Sequence, residues 1–530
     1  MGEFISGSYE PKEVLHYFEE IAAIPHGSGN TGAISDYLAG FAEKQGLEYD
    51  RDKSGNVIIR KKGSAGCEDL PGVILQGHMD MVCEKEADCT VDMEKEGLKL
   101  VVEDGVLTAD GTTLGGDDGI AVAYMLAVLA DDSFVHPPLE CVFTVDEEIG
   151  MLGADALDMS LLKGRMLINI DNEEEGHLIT GCAGGCIVKL TLDLDRAGDN
   201  DDEDAEGSLM DIQDKLGMDG SIEGFLDGLF GEMNKTEVEF DTPKNMRLSI
   251  SGLQGGHSGI EIGQERANAC MLLGRALQLL KDELKYDYSI ISVNGGAKDN
   301  AIPREASAQI RIDEEDIPEA EKLLMGLEKE MRHEYAVTDS GLKLSFEPDD
   351  DIAMLPMTLE SGDDLITLLR IIPNGVQKMS MTVPGAVEAS LNLGILKTFD
   401  DEVELSFLVR SSVESEKREM IGRLQAISEL TDADIDLSGD YPGWEPAERS
   451  ELSEIMCETY SELFGKQMVR EAVHAGLECG IFSKGIPGLD IVSFGPDIKD
   501  IHTPNERMDL ASVERTWKHL IAVLKKLAKK

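Results

Sequence analysis

The chain has 530 residues, of which 104 are acidic and 48 basic, a formal charge of −56 at pH 7, and 42% are hydrophobic. That apolar share supports a packed interior, and the length predicts two or three domains. The carboxylate excess argues against a nucleic-acid binder or a protein that docks on anionic membranes, since both need clustered Lys and Arg.

The opening MGEFISGSYEPKEV has neither the basic nor the apolar stretch of a secretory signal. No segment approaches the roughly 18 apolar residues of a membrane span. The nine cysteines are scattered and odd in number, so a reducing, cytoplasmic setting is expected rather than a disulfide framework. Cys182 and Cys186, in CAGGC, lack a matching Cys/His pair downstream and read as small residues beside a glycine turn.

In chain order, Val14, Leu15, Phe18, Ile21 and Ala22 share one face of a helix over 11–24. A second amphipathic stretch follows Gly27-Ser28-Gly29-Asn30. GVILQGH (72–78) reads as a buried strand, GIAVAYMLAVLA (119–130) as a buried helix, and LECVFTV (139–145) and RMLINID (165–171) as further strands. Near-continuous apolar runs of this kind predict an α/β layer covered on both faces. After Gly184-Gly185 the pattern changes to period two, in CIVKLTLDLD (186–195), MRLSISG (246–252) and ASAQIRID (306–313), with a helix over 265–281. KLSFEP (343–348), a helix near 361–371, NLGILKTF (392–399) and VELSFLVRSS (403–412) form a similar group. Residues 186–440 are therefore expected to be an inserted α+β domain of two related halves. From Trp444, helical sequence and the strand LDIVSFG (489–495) return to the first layer. The domains are thus 1–185, 186–440 and 441–530, the outer two forming one body. An acidic insertion, 196–236, is expected to be a solvated surface segment. Asp202, Asp204, Glu206 and Gly207 partly match a calcium loop, but Gln213 stands where Glu is needed.

Five places carry candidate chemistry. GVILQGH runs into His78-Met79-Asp80, whose side chains two apart point the same way on an extended chain, so a carboxylate can support a metal-binding imidazole. TTLGGDDGI (112–120) puts Asp117 and Asp118 in a glycine-rich turn, Asp118 doubling as a helix N-cap. FTVDEEIG (143–150) ends a strand with Glu147 and Glu148, one able to bind metal while the other handles protons. LINIDNEEEG (167–176) brings Asp171 to a strand end, and DIHTPNERMD (500–509) brings His502 beyond another. Acidic and imidazole groups at the carboxyl ends of apolar strands match the placement of ligand sites in α/β layers.

IPHGSGN, LQGHMDMVCEK, TTLGGDDGI, TVDEEIGMLGA, NIDNEEEG…GCAGG, GLQGGHSG, NAIPREA, YPGW, HAGLECG and HTPNERM, in this order, resemble the aminoacyl-histidine (Xaa-His, carnosine-splitting) dipeptidases. These belong to a wider group of di-zinc aminopeptidases, carboxypeptidases and deacylases. The resemblance implies a zinc-peptidase-type catalytic domain, a mixed sheet between helices, with the inserted domain acting as a lid. It implies two Zn²⁺ per chain, Mn²⁺ or Co²⁺ being substitutes with similar ligand preferences. His78, Asp117 and Asp171 would hold one ion and Asp117, Glu148 and His502 the other, Asp117 bridging. Glu147 would be the general base and Asp80 the partner of His78. Two divalent ions against three carboxylates leave a positive site that favours hydroxide over water.

The same resemblance puts His257, in a flexible GGHSG loop, at the reacting carbonyl oxygen, which it reaches in some members from a partner subunit, with Asn300 as a second contact. Arg410 would clamp a terminal carboxylate in the two-pronged geometry guanidinium favours, and His474 is a further substrate candidate. A metal-dependent dipeptidase of the Xaa-His or β-Ala-His type, with room for broad specificity, is the function implied. A carboxypeptidase or N-deacylase of the same group is the alternative, and an acidic calcium-binding protein a remote one. The expected partner is a small peptide, with no nucleic acid and no membrane, and a homodimer is left open.

Overall fold

The computed structural model describes residues 5–197, 238, 240–284, 288–349 and 351–529. Its described residues group into two compact units: Met1–Gly184, Ser380–Ala386 and Tyr441–Lys530 in the first, Gly185–Met379 and Val387–Asp440 in the second. Ser380–Ala386, the tip of a hairpin between strands Gly375–Met379 and Val387–Thr398, groups with the first unit although its strands belong to the second.

The first unit is built on an eight-stranded sheet. Its order is Glu48–Arg51, Val57–Lys61, Leu139–Thr144, Val73–His78, Met166–Asn169, Asp490–Ser493, His177–Cys182 and Val469–Val473. The central four, Leu139–Thr144 to Asp490–Ser493, run parallel, so their carboxyl ends lie side by side. Strands Val73–His78 and Leu139–Thr144 are buried at every position, which is why they read as unbroken apolar runs. The helix expected at 119–130 spans Gly116–Ala130 and is buried on nearly all sides. On helix Lys12–Ala22 the five predicted face residues are all buried.

His519, on helix Leu510–Leu527, is buried among Tyr460 and Phe494 with Nε2–H donating to the Met456 carbonyl at 2.9 Å. Burial depresses its imidazole from 6.5 to about 4. The unfolded chain therefore takes up this proton first as pH falls, and stability is lost between pH 6.5 and 4. The shift corresponds to about 3 kcal/mol. His519→Phe is expected to flatten this part of the pH dependence of Tm, measured by calorimetry.

The second unit carries a nine-stranded sheet whose path shows the two halves. One runs strand Pro243–Ser251, helix Ala269–Leu284, strands Tyr288–Gly296 and Ala306–Asp313, helix Ile317–Glu334, strand Lys343–Pro348. The other runs strand Gly184–Asp193, helix Leu359–Ile371, strands Val387–Thr398 and Glu402–Ser411, helix Glu414–Thr431, strand Asp434–Tyr441. From the outer edge inward, each half orders its strands fourth, first, third, second, and the two second strands pair at the centre. This corrects the grouping expected from patterning. KLSFEP is the edge strand of the first half, on Pro243–Ser251, and the strand beginning near Cys186 opens the second half. Alternation identifies a half-buried strand but not its partner, which lies far away in sequence.

The start of the acidic insertion also differs from expectation. Arg196 is buried and donates to the carbonyls of Ile291, Leu355, Phe399 and Asp400. A guanidinium spends its donors on converging carbonyls here because leaving them unmet in the interior is costly. The calcium-loop residues Asp202, Asp204, Glu206, Gly207 and Gln213 lie outside the described residues.

Candidate metal centre

All five predicted ligands belong to the first unit, and they meet. His78 ends its strand; Asp171 lies two residues beyond Met166–Asn169; Glu147 and Glu148 follow Leu139–Thr144. Asp117 presents one carboxylate oxygen to each imidazole: Oδ1 lies 3.2 Å from His78 Nε2 and Oδ2 lies 3.2 Å from His502 Nε2. Glu148 stands 2.9 Å from His502 Nε2 and Asp171 stands 3.8 Å from His78 Nε2. Donor atoms of His78, Asp118 and Asp171, of His78, Glu147 and Glu148, and of Asp117, Glu148 and His502 each cluster within 4.8 Å.

This donor set fits divalent cations. Two imidazoles face a larger number of buried carboxylates, an arrangement that is unfavourable until positive charge is added. Imidazole and carboxylate are ligands that zinc, manganese and cobalt accept. Burial alone would lower the His78 imidazole, but hydrogen bonds with Asp117 and Asp80 and the charge of Asp171 hold it well above its usual value. Burial opposes ionisation of Asp117, yet its contacts with His502 and His78 keep it below the usual range. Asp171 is raised by burial and then by the charge of Asp118.

Asp80 organises the next layer. It is buried, its main-chain oxygen lies 3.0 Å from His78 Nδ1, and its carboxylate accepts Glu147 N–H at 3.0 Å, Glu148 N–H at 3.3 Å and the Ser28 hydroxyl at 2.8 Å. With the Nδ1 proton given to that oxygen, Nε2 would offer its lone pair to a cation that replaced the proton it now shares with Asp117. Burial pushes Glu147 up to about 8, with His78 opposing and Glu478 and Glu148 adding.

Asp118 departs from expectation. It does not cap the helix; it is buried, and its Oδ2 accepts the His78 N–H at 3.2 Å. A Cβ at Gly77 would lie 2.4 Å from that same oxygen, so glycine before His78 is required by the close approach.

Sequence reasoning missed two further groups. Glu506, in HTPNERM, is buried and accepts the N–H groups of Leu114 at 2.8 Å, Gly115 at 3.0 Å, Gly116 at 2.8 Å and Asp117 at 3.3 Å. One carboxylate thereby fixes the whole turn that aims Asp117. Glu506→Ala leaves these donors unmet, and metal affinity is expected to fall by about 10–100-fold in a competition titration. The second group lies under the ligands. Glu478 Oε2 accepts from Gln76 at 2.5 Å and Thr144 at 2.7 Å, and Gln76 in turn accepts from Asn169 at 2.7 Å. These residues sit two or three positions before His78, Glu147 and Asp171, so the strands are tied together just below the site. Their signal was the polar residue inside an apolar strand, which periodicity alone assigns to neither face.

The candidate substrate contacts divide between the units. His474 is buried in the first unit, beyond strand Val469–Val473, and belongs to none of the donor clusters among the described residues. His257, Asn300 and Arg410 lie in the second unit. His257 is not in a loose loop: Gly256–His257 pairs with Ala301–Ile302, directly after Asn300. Its Nδ1 accepts N–H from Gly259 at 3.2 Å and Ile260 at 3.1 Å, which leaves the proton on Nε2. Burial lowers this imidazole, and the charge of Arg410 lowers it further. Arg410 is buried. Cys182 and Cys186 are buried and fall in different units, and neither joins a donor cluster among the described residues.

The sequence profile of peptidase family M20/M25/M40 matches residues 74–529. A cytosol non-specific dipeptidase from Escherichia coli K12 is 36% identical over 522 residues, covering 98% of each chain. The crystal structure of aminoacylhistidine dipeptidase from Vibrio alginolyticus superposes with a TM-score of 0.85 at 34% identity, again over 98% of both chains. A tripeptidase from Staphylococcus aureus shares the fold at a TM-score of 0.53 and 16% identity, covering 98% of this chain and all of that one. A match across most of the chain, with a relative 36% identical over nearly its full length, shows that the protein belongs to peptidase family M20/M25/M40.

Proposed function

We propose that the protein is a dinuclear-metal dipeptidase acting on unblocked dipeptides, Xaa-His among them, in the cytoplasm. The observation that carries this is Asp117, with one carboxylate oxygen against each of two imidazoles. His78, Asp117 and Asp171 would hold one zinc ion and Asp117, Glu148 and His502 the other. When bound, the ions supply Lewis-acid polarisation of the scissile carbonyl and acidify water.

The chain's own residues do the rest. Glu147 takes the proton of the attacking water on its carboxylate and returns it to the leaving amine. Asp80 keeps that carboxylate beside His78 by accepting the N–H groups of Glu147 and Glu148. His257 Nε2–H is a neutral donor suited to the developing oxyanion, and Asn300 is a second donor. Arg410 pairs with the terminal carboxylate, and His474 serves as a further substrate contact.

The doubled second unit and the long relatives named dipeptidases favour this over a carboxypeptidase or N-deacylase. Assays should find β-Ala-His, other Xaa-His and simple dipeptides hydrolysed, N-acetylated amino acids untouched, and activity abolished by a strong chelator. Preferential release from N-acyl amino acids, or activity that survives chelation, contradicts the proposal.

A further inference from the structure

Beside the metal centre, wholly within the first unit, lies an open cleft of about 720 Å³. Glu148 lines it, and Ile149, 55% exposed, follows at its mouth. Its apolar lining comes from Met81, Val82 and Met93, with Cys83 at its surface. Gly27, Ser28, Gly29 and Asn30, of the IPHGSGN loop, also line it, and the mechanism above does not use them. That segment is fixed: the Ser28 hydroxyl donates to Asp80 at 2.8 Å, Gly29 N–H to Asp146 at 2.7 Å, and the Asn30 amide to the Glu94 carbonyl at 3.1 Å. A cleft of mixed lining, with a methionine and valine floor beside the candidate ligand Glu148, is shaped to receive something attached close to the reacting bond.

Resting on the dipeptidase reading, we propose that this cleft receives the side chain of the substrate's N-terminal residue and selects unbranched or γ-branched apolar chains there. The carbonyl that is attacked belongs to the N-terminal residue, so its side chain is the one carried next to the metals. Glu94, exposed, also lines the cleft, while Lys95 is paired with Asp92 at 2.7 Å. The cleft therefore attracts the free ammonium beside that side chain and repels a C-terminal carboxylate. Two thioethers in the lining adapt to chains of different shape, which fits broad rather than single-residue selection.

Cys83 makes the test direct, because it is the exposed one of the nine cysteines. Cys83→Trp narrows the cleft. It is expected to lower the ratio of kcat/KM for Leu-Gly to that for Gly-Leu by about 10-fold or more. In a Glu147→Gln background, where turnover is blocked, Leu-Gly at ten times its Kd should slow alkylation of Cys83 by about 10-fold. Gly-Leu at the same occupancy should protect far less, the labelling being read by mass spectrometry. An unchanged or reversed ratio, or equal protection by the two dipeptides, overturns the assignment while leaving dipeptidase activity intact. Wild-type protein that hydrolyses neither dipeptide overturns the dipeptidase reading itself, and the cleft assignment with it.

Discussion

Glu147→Ala is expected to lower kcat for dipeptide hydrolysis by about 10²–10⁴-fold, with metal content unchanged. Glu147 is tied in place through its main chain, by the Asp80 carboxylate, and not through its own carboxylate. Truncating the side chain therefore leaves the turn, and Glu148 beside it, where they are. Because the lost step is proton transfer, kcat and kcat/KM should fall together, with little change in the binding of substrate. Metal analysis by mass spectrometry, run beside steady-state kinetics, checks both halves of the expectation. A variant that keeps full activity removes the general base; one that loses metal in proportion to activity assigns Glu147 to ligation instead.

Asp117→Ala is expected to cost metal as well as activity. Among the described residues its carboxylate is the one paired with both imidazoles, at 3.2 Å on either side. Without it His78 and His502 lose their common partner, and each metal set loses a ligand. Several kcal/mol of transition-state stabilisation depend on the cations, so activity should drop by at least about 10³-fold. Metal content should fall at both sites together. His502→Ala, by contrast, touches one set and should spare the other. Equilibrium dialysis on the three proteins separates these outcomes: loss of a single ion in Asp117→Ala would show that the carboxylate is not shared.

The candidate ligands stand out in the sequence because most of them end or follow an apolar run, where an ionisable side chain is conspicuous, while Asp117 opens one. His78 closes GVILQGH and Asp171 follows RMLIN, and the parallel order of those strands puts their carboxyl ends together. The central strands of the first sheet lie within a few residues of their expected ranges, because burial on both faces writes itself as continuous hydrophobicity. Partnership was less legible. The first strand of the second half is separated from its own helix by the entire first half, and nothing in a local pattern encodes that pairing. Roles set by close approach were also hidden. Asp118 looked like a cap because it precedes a helix, whereas its carboxylate meets the His78 N–H across the space a glycine leaves. Glu506 was passed over because its work, holding four main-chain donors of a turn almost 400 residues earlier, depends wholly on tertiary structure. Arg196 was assigned to a solvated segment on composition, yet four main-chain carbonyls converge on it.

The most direct measurement is anomalous diffraction at the zinc edge from crystals of the zinc-loaded protein. Two peaks should appear, one on either side of Asp117, the first also within bonding distance of His78 and Asp171, the second of Glu148 and His502. One peak alone, or zinc bound away from Asp117, contradicts a paired centre built on a shared aspartate.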